Sequence, residues 1–554
     1  MKILILGGYG VFGGRLARLL DGEDLHLLIA GRDLSKAQAF CTTLTSRAEP
    51  VRADRNAMAE TLANHRPDVV VDATGPFQDY GPAPYGVLQA CIAAKTNYMD
   101  FADGADFVSG IGQFDQAAQE AGIFALSGVS SFPVLTAAVL SEMARTMTIT
   151  GVSGGIAPSP YAGIGMNVLR AVLGYAGAPV ALVRHGRPAT GRGLAETMRY
   201  TVAPPGALPL RNTLFSLVDV PDLREVPAAM PGIQTLWMGA GPVPEPLHRL
   251  LITLARLRAL LHLPSLEPLA PLCYRVLNTI RYGDHRGGMF IEATGRRDNQ
   301  DLTRSWHMLA EGDDGPLIPS MAIAALIRRC ASGQPPTPGA RSGIGALSLA
   351  DYDTLFRSRA ITTGWRETSV GPVYRQILGA AFDSLPAALQ DLHQPGRTAQ
   401  WSGRANVQRG KSASAGLIAG LFGFPKAGTD LSVTVTFQTA RDGTETWTRN
   451  FAGRLMVSTQ ATGTGRNQHL IEERFGPFAF GLALVIDGQR LRIIPRRWAI
   501  LGLPLPVALM PRGDSHETEE EGRFRFHVEI ALPLIGPVVT YDGWLTRQTA
   551  QSRN

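Results

Sequence analysis

MKILILGGYGVFGGRLARLL, residues 1–20, decides how this chain is read. Lys2–Leu6 is a short apolar run of the kind buried in a parallel sheet. Five glycines follow, Gly7, Gly8, Gly10, Gly13 and Gly14, while Val11, Phe12, Leu16 and Leu19 give a helix one apolar face. A glycine turn between a strand and a helix is the setting that a dinucleotide-binding fingerprint requires. Gly8 permits the tight turn, Gly10 lets backbone N–H groups approach a pyrophosphate, and Gly13 allows close helix–strand packing. The turn residues Tyr9, Val11 and Phe12 complete the cradle, where the helix start offers orphan N–H donors and a positive dipole end.

Working outward, Leu25–Ala30 is a second apolar run and ends in Gly31-Arg32-Asp33. An acidic residue at this strand end bonds the ribose 2′-hydroxyl of NAD, whereas a basic one accommodates the 2′-phosphate of NADP. Arg32 therefore favours NADP over NAD as cofactor. Asp33 either takes the ribose of NAD or caps the following helix, with the cap preferred. Pro50–Asp54 reads as a third strand, and Asp54 either bonds the adenine amino group or occupies a surface turn. Asp68–Ala73 is a buried fourth strand running into Thr74, Gly75 and Pro76, where a glycine lets the backbone pass close to the nicotinamide half. Helix Tyr85–Lys95, helix Gln113–Ala121 and strand Ile123–Leu126 continue the alternation. The pattern implies an α/β Rossmann fold, a doubly wound parallel sheet.

At 554 residues the chain exceeds one ordinary core and implies several domains. A net charge of +6 suits anionic ligands such as a phosphorylated cofactor, or a membrane surface. No Lys/Arg block interleaved with aromatics occurs, which argues against nucleic acid as a partner. The four cysteines, Cys41, Cys91, Cys273 and Cys330, are isolated, and no His cluster has metal spacing. With no leader-like start and no long apolar run, the expectation is a cytoplasmic protein without a metal site.

GGYGVFG (Gly7–Gly13), AGR (Ala30–Arg32), DATGPF (Asp72–Phe77), NYMDFADG (Asn97–Gly104) and SGVSSFPVLTAAVL (Ser127–Leu140) together resemble the saccharopine-dehydrogenase-like family of NAD(P)-binding oxidoreductases. GYAGAPV (Gly174–Val180), HRGGMFIEATG (His285–Gly295) and SWHMLAEGDDGPLIP (Ser305–Pro319) fit its bacterial branch, so the resemblance spans about residues 1–355. It implies an oxidoreductase acting on a small-molecule substrate. The Rossmann domain would cover 1–130, and an α+β domain over 131–356 would cover the cofactor and pair the chain into a homodimer. It does not imply saccharopine as substrate: beyond Val134 the arginine array that recognises a doubly carboxylated amino acid is missing.

Hydride transfer needs positioning and one proton donor. Asp100, at a strand end near the cofactor edge, Asp103 beside it, and His285 and His307 further along are the catalytic candidates. Each also reads as structural, Asp100 as a helix cap and the histidines as solvated or hydrogen-bonded side chains. No Tyr-x-x-x-Lys pair follows the fourth strand, unlike short-chain dehydrogenases. In the middle segment Met289–Thr294 and Ser305–Ala310 could pair across the polar stretch Gly295–Arg304. Leu247–Leu263 is a basic amphipathic helix with Leu247, Leu250, Leu254, Leu257 and Leu261 on one face. It either makes a peripheral membrane contact or packs on its domain with the basic face in water.

Residues 357–370 read as a linker. Beyond them the period changes to two, with strand candidates from Asp430–Gln438 to Pro537–Leu545, giving a mainly antiparallel β domain over 371–548, a curved sheet or partial barrel. WTRNFAGR (Trp447–Arg454) and ERFGPFAF (Glu473–Phe480) resemble an uncharacterised bacterial domain fused to such dehydrogenase-like proteins. Its inward faces would enclose a small apolar ligand or serve only to stabilise the other half, and the acidic run Glu517–Glu521 reads as a solvated turn. The leading expectation is an NADP-dependent oxidoreductase acting on an organic, even lipidic, substrate. The runner-up is a non-catalytic nucleotide sensor or lipid-binding scaffold.

Overall fold

The computed structural model describes residues 1–242, 244–368 and 371–548. The chain divides into two compact units, Met1–Met198 with Leu214–Thr362, and Arg199–Thr213 with Thr363–Asn554.

The first unit begins with strand β1 (Lys2–Leu6) and helix α1 (Val11–Leu19). Then come strands β2 (His26–Gly31), β3 (Arg47–Arg52), β4 (Val69–Asp72), β5 (Asn97–Asp100) and β6 (Phe124–Ser127). A late strand, β7 (Gly339–Ser342), joins them, and the order is β3-β2-β1-β4-β5-β6-β7 with every neighbouring pair parallel. Ile3, Leu4, Ile5 and Val69, Val70, Val71 are all buried, because central parallel strands are covered on both faces and read as unbroken apolar runs. The third strand ends at Arg52 rather than Asp54. β7 also draws the sheet's edge from a stretch some two hundred positions beyond β6, which local periodicity does not reveal.

A second sheet in this unit holds Thr213–Leu217, Thr235–Ala240, Thr148–Ala157, Gly287–Arg297 and Gln300–Ala310, in that order. The expected hairpin is present, but its strands run on through the polar stretch. Only Asp298 and Asn299 turn it, both at positive φ (49° and 64°), the conformation of a two-residue hairpin loop. Helix Glu245–Leu261 is also inverted relative to the expected packing. His248, Ile252 and Ala255 face inward, while Leu250, Leu257 and Leu261 are exposed and Arg258 donates to the carbonyls of Gly174 and Ala176.

In the second unit ten antiparallel strands between Thr398 and Arg547 form a closed barrel, sealed where Phe478–Asp487 pairs with Arg490–Ile500. Full closure replaces the expected curved sheet or partial barrel. Within the expected linker Ile361–Glu367 is a strand, and residues 369 and 370 lie outside the described residues. The acidic run is a strand as well, Ser515–Glu520, with Glu517 buried against His393 at 2.6 Å.

Candidate cofactor and active site

The strand order reverses at β1 and β4, which opens a crevice beyond their carboxyl ends, the place where doubly wound sheets bind ligands. The left-handed residue of the turn is Gly7 (φ +79°), and the Gly7 and Gly8 N–H groups both donate to the Ala30 carbonyl, at 2.8 and 3.1 Å. A Cβ on Gly13 would stand 2.4 Å from the Gly7 carbonyl oxygen, and one on Gly8 2.8 Å from that of Ile5. Only glycine lets α1 approach β1 this closely. The Gly10 N–H is committed within the turn, donating to the Gly7 carbonyl at 2.8 Å. Val11, Phe12 and Gly13, the first residues of α1, are therefore the ones whose N–H groups are left for a phosphate.

At the adenosine end Tyr9 packs on Gly31 and its hydroxyl accepts the Asp33 N–H at 3.0 Å. Arg32 follows directly and is exposed. Asp33 caps the next helix by accepting the Lys36 N–H at 3.1 Å, and Asp54 caps a turn by accepting the Asn56 N–H at 2.9 Å. Both carboxylates do local work, which leaves Arg32 as the charged group presented at the end of β2.

At the nicotinamide end Asp72, the last residue of β4, is fully buried. Its Oδ1 accepts the Thr74 N–H (3.0 Å) and hydroxyl (2.7 Å), and its Oδ2 accepts the Tyr80 hydroxyl. Burial raises the Asp72 carboxyl above the usual range despite these bonds. The Arg55 guanidinium lies 4.2 Å from the Tyr80 ring centroid, and Asn167 donates to the Gly75 carbonyl at 2.7 Å. Thr74 and Gly75 are thus fixed from both sides. Beside them Asp103, in the loop after β5, lies near the Gln78 side chain from the loop after β4. Asp219 and Tyr175 join from the second sheet's side, the Tyr175 hydroxyl meeting the Asp219 backbone. Burial raises both the Asp103 and Asp219 carboxyls, and the Asp219 charge raises Asp103 further.

Residues 3–126 match the family described as the saccharopine dehydrogenase NADP binding domain. The N-terminal domain belongs to that family. That family's description names NADP as the cofactor. Residues 385–545 match a domain of unknown function (DUF4166). A shikimate dehydrogenase (NADP(+)) of Methylobacillus flagellatus is 32% identical over 133 residues, 22% of this chain and 48% of that protein. The chain thus spans about half the length of the curated relative it matches. Among solved structures, apo saccharopine dehydrogenase (L-Glu forming) from Saccharomyces cerevisiae is 15% identical with a TM-score of 0.47, covering 66% of this chain and 100% of that one. An amine dehydrogenase from Mycobacterium smegmatis is 13% identical with a TM-score of 0.34, covering 62% and 95%.

Within this NADP-binding domain the structure brings together Gly8, Tyr9, Gly10, Val11, Phe12 and Gly13 with Arg32 on one side and Thr74, Gly75 and Pro76 on the other. Asp54 follows Ala53, whose N–H donates to the Gly31 carbonyl at 3.0 Å, and its carboxylate caps the next turn. Asp100 is fully buried, its Oδ1 accepting the Gly128 N–H (2.7 Å), the Ala102 N–H (2.9 Å) and the Ser127 hydroxyl (3.1 Å). It staples the ends of β5 and β6 together and presents nothing to a substrate. His307 is likewise fully buried, 2.8 Å from the Ser305 hydroxyl within the hairpin. A proton donor must reach the reacting atom, and in this structure both side chains are turned to protein neighbours. His285 is exposed and stacks on Tyr161 at 3.6 Å. Asp72, Tyr80, Tyr175 and Asp219 were missed. The only sequence signal for them was the acidic end of the apolar run in Val69–Asp72, since the others meet across distant segments.

Proposed function

We propose that this protein is an NADP-dependent oxidoreductase that transfers hydride between the nicotinamide and an organic substrate. The observation that carries the reading is the exposed Arg32 at the end of β2, beside a glycine turn too tight for any side chain at Gly8 or Gly13. The name of the Methylobacillus relative, a dehydrogenase using NADP(+), supports the same class. When bound, NADP supplies the hydride or accepts it. The chain's own residues then orient the ring and manage the proton.

Asn167, Thr74 and Asp72 hold the loop against which the nicotinamide would lie. Burial raises the Asp103 and Asp219 carboxyls, and the Asp219 charge raises Asp103 further, so Asp103 keeps its proton above the usual carboxylate range. We assign that proton to the substrate oxygen, nitrogen or carbon that gains charge as hydride arrives. Exposed Leu250, Leu257 and Leu261 on the basic helix support a peripheral membrane contact, which fits a lipidic substrate.

Titration with NADPH and NADH, followed by nicotinamide fluorescence, tests the reading, with turnover then measured on imines, enoyl thioesters and ketones. NADPH binding with oxidation by one of these classes is expected. Failure to bind either cofactor overturns the oxidoreductase reading, and binding without any turnover turns it toward a nucleotide sensor.

A further inference from the structure

The barrel of the second unit encloses a cavity of about 380 Å³, within the roughly 300–1,000 Å³ of sites that hold small molecules. Its walls follow the period of the strands: Val433, Val435 and Phe437 line the cavity while Ser432, Thr434 and Thr436 alternate with them on the outer face. An apolar interior and polar exterior reverse the pattern of a barrel embedded in a bilayer. An apolar ligand therefore belongs inside this barrel.

Part-way along, the wall turns polar. Arg449 donates to the Ser458 hydroxyl at 2.8 Å and pairs with Glu473 at 3.3 Å. The Ser458 hydroxyl and the Gln460 Nε2 donate to the same Glu473 Oε1, at 2.8 and 3.1 Å. Within this pair the two charges cancel, so neither is left free for a carboxylate or an ammonium. Gln460 is 3% exposed and lines the cavity, and its Oε1 is buried with no hydrogen-bond partner. A buried acceptor without a donor is destabilising until something donates to it. A ligand hydroxyl or N–H does so.

The barrel's two ends differ. Because successive strands alternate in direction, the connections at 410–427, 452–453, 476–477, 501–514 and 533–535 all fall at one end. They carry Leu417, Leu421, Leu501, Leu503 and Leu534, between 69% and 98% exposed, together with Lys411 and Lys426. The other end has polar turns, such as Asp487-Gly488 and Glu521-Gly522. Tyr374, on helix Val373–Leu378, reaches the cavity wall there and stacks 3.5 Å from His393. One end is plugged and polar, the other apolar and basic.

We propose that the barrel binds a single-chain lipid with an uncharged hydroxyl or amide head, the head donating to Gln460 and the chain running to the apolar end, through which it enters from an anionic membrane. This site stands on the second unit alone and does not depend on the oxidoreductase reading.

The full chain is tested by displacement of Nile red with 1-tetradecanol, its methyl ether and tetradecanoic acid. The alcohol is expected to bind about tenfold more tightly than the ether, which cannot donate, and than the acid, whose charge would be buried beside the already paired Arg449 and Glu473. Gln460→Leu and Gln460→Met should erase the alcohol–ether difference, and Val435→Trp should exclude all three, with unchanged circular dichroism. No displacement by the alcohol, equal binding of the acid, or a preference surviving both Gln460 variants overturns the site. Leu501→Ser with Leu534→Ser should slow uptake of tetradecanol from phosphatidylglycerol vesicles severalfold at unchanged affinity. An unchanged rate overturns the route of entry.

Discussion

Tyr9 lies across Gly31 so closely that a Cβ on that glycine would stand 2.5 Å from both the ring carbon Cε1 and the phenol oxygen. The same oxygen accepts the Asp33 N–H at 3.0 Å. One residue belongs to the turn after β1 and the other ends β2, so their contact builds the wall on which Arg32 stands. Gly31→Ala must push the ring aside and is expected to weaken NADPH binding about tenfold or more, through a displaced turn. Tyr9→Phe keeps the ring and loses one hydrogen bond, a cost of about 1 kcal/mol in stability. NADPH titrations and thermal melts of the two variants check this. A Tyr9→Phe protein that loses more cofactor affinity than Gly31→Ala would contradict the packing argument.

Arg32 makes the second prediction. A guanidinium beside a 2′-phosphate forms charge-assisted hydrogen bonds that a ribose hydroxyl cannot match. Arg32→Ala should weaken NADPH by about 10- to 100-fold, from roughly 1.5–3 kcal/mol for bonds to a charged group, and leave NADH nearly unchanged. Added salt should narrow the gap between the cofactors in the native protein, because the site is exposed. Equal losses for both cofactors would refute the assignment.

How much of this was legible follows from the range of each interaction. The glycine turn and the parallel sheet were readable because a strand, a turn and a helix start carry their constraints within a few consecutive residues. The same holds for the hairpin Gly287–Ala310, though not for its turn, since polar residues on an exposed strand resemble a loop. β7 and the Asp103–Asp219–Tyr175 cluster were not readable, as each depends on segments brought together only by the fold. The barrel was read as strands but not as closed, because closure depends on the pairing of its last partners. Asp100 is ambiguous for a physical reason. A carboxylate at a strand end looks the same in sequence whether it faces a ligand or, as here, neighbouring backbone N–H groups.

Asp100 also predicts a pH dependence. Burial holds its carboxyl up at about 7, against the backbone and Ser127 hydrogen bonds that favour the charged form. Its Oδ2 is buried without a hydrogen-bond partner. With the folded value above the unfolded one, the group's contribution is fully present below the ordinary carboxylate range and is lost as pH rises through about 7. The full swing is on the order of 4 kcal/mol. Asp222, fully buried and also held up at about 7, adds a second step of the same sign. Asp100→Asn should therefore keep catalysis and remove part of the decline in melting temperature between acid and neutral pH. Loss of turnover in a stably folded Asp100→Asn protein would return Asp100 to the catalytic site.

His248 predicts the opposite slope. Its ring is buried on the inner face of helix Glu245–Leu261, 2.8 Å from the Ser216 hydroxyl, and burial lowers its value to about 4. Native protein then binds fewer protons here than the unfolded chain does between about 4 and 6.5, so stability is intact above that window and falls as pH drops through it. The swing is roughly 3 kcal/mol. His248→Leu fills the same apolar surroundings without a titrating group, and Ser216 can still lean toward the Ala240 carbonyl at 3.5 Å. The variant should melt at nearly the same temperature as the native chain at neutral pH and above it near pH 5. If both lose stability in parallel on acidification, the buried ring is not the group that senses the proton.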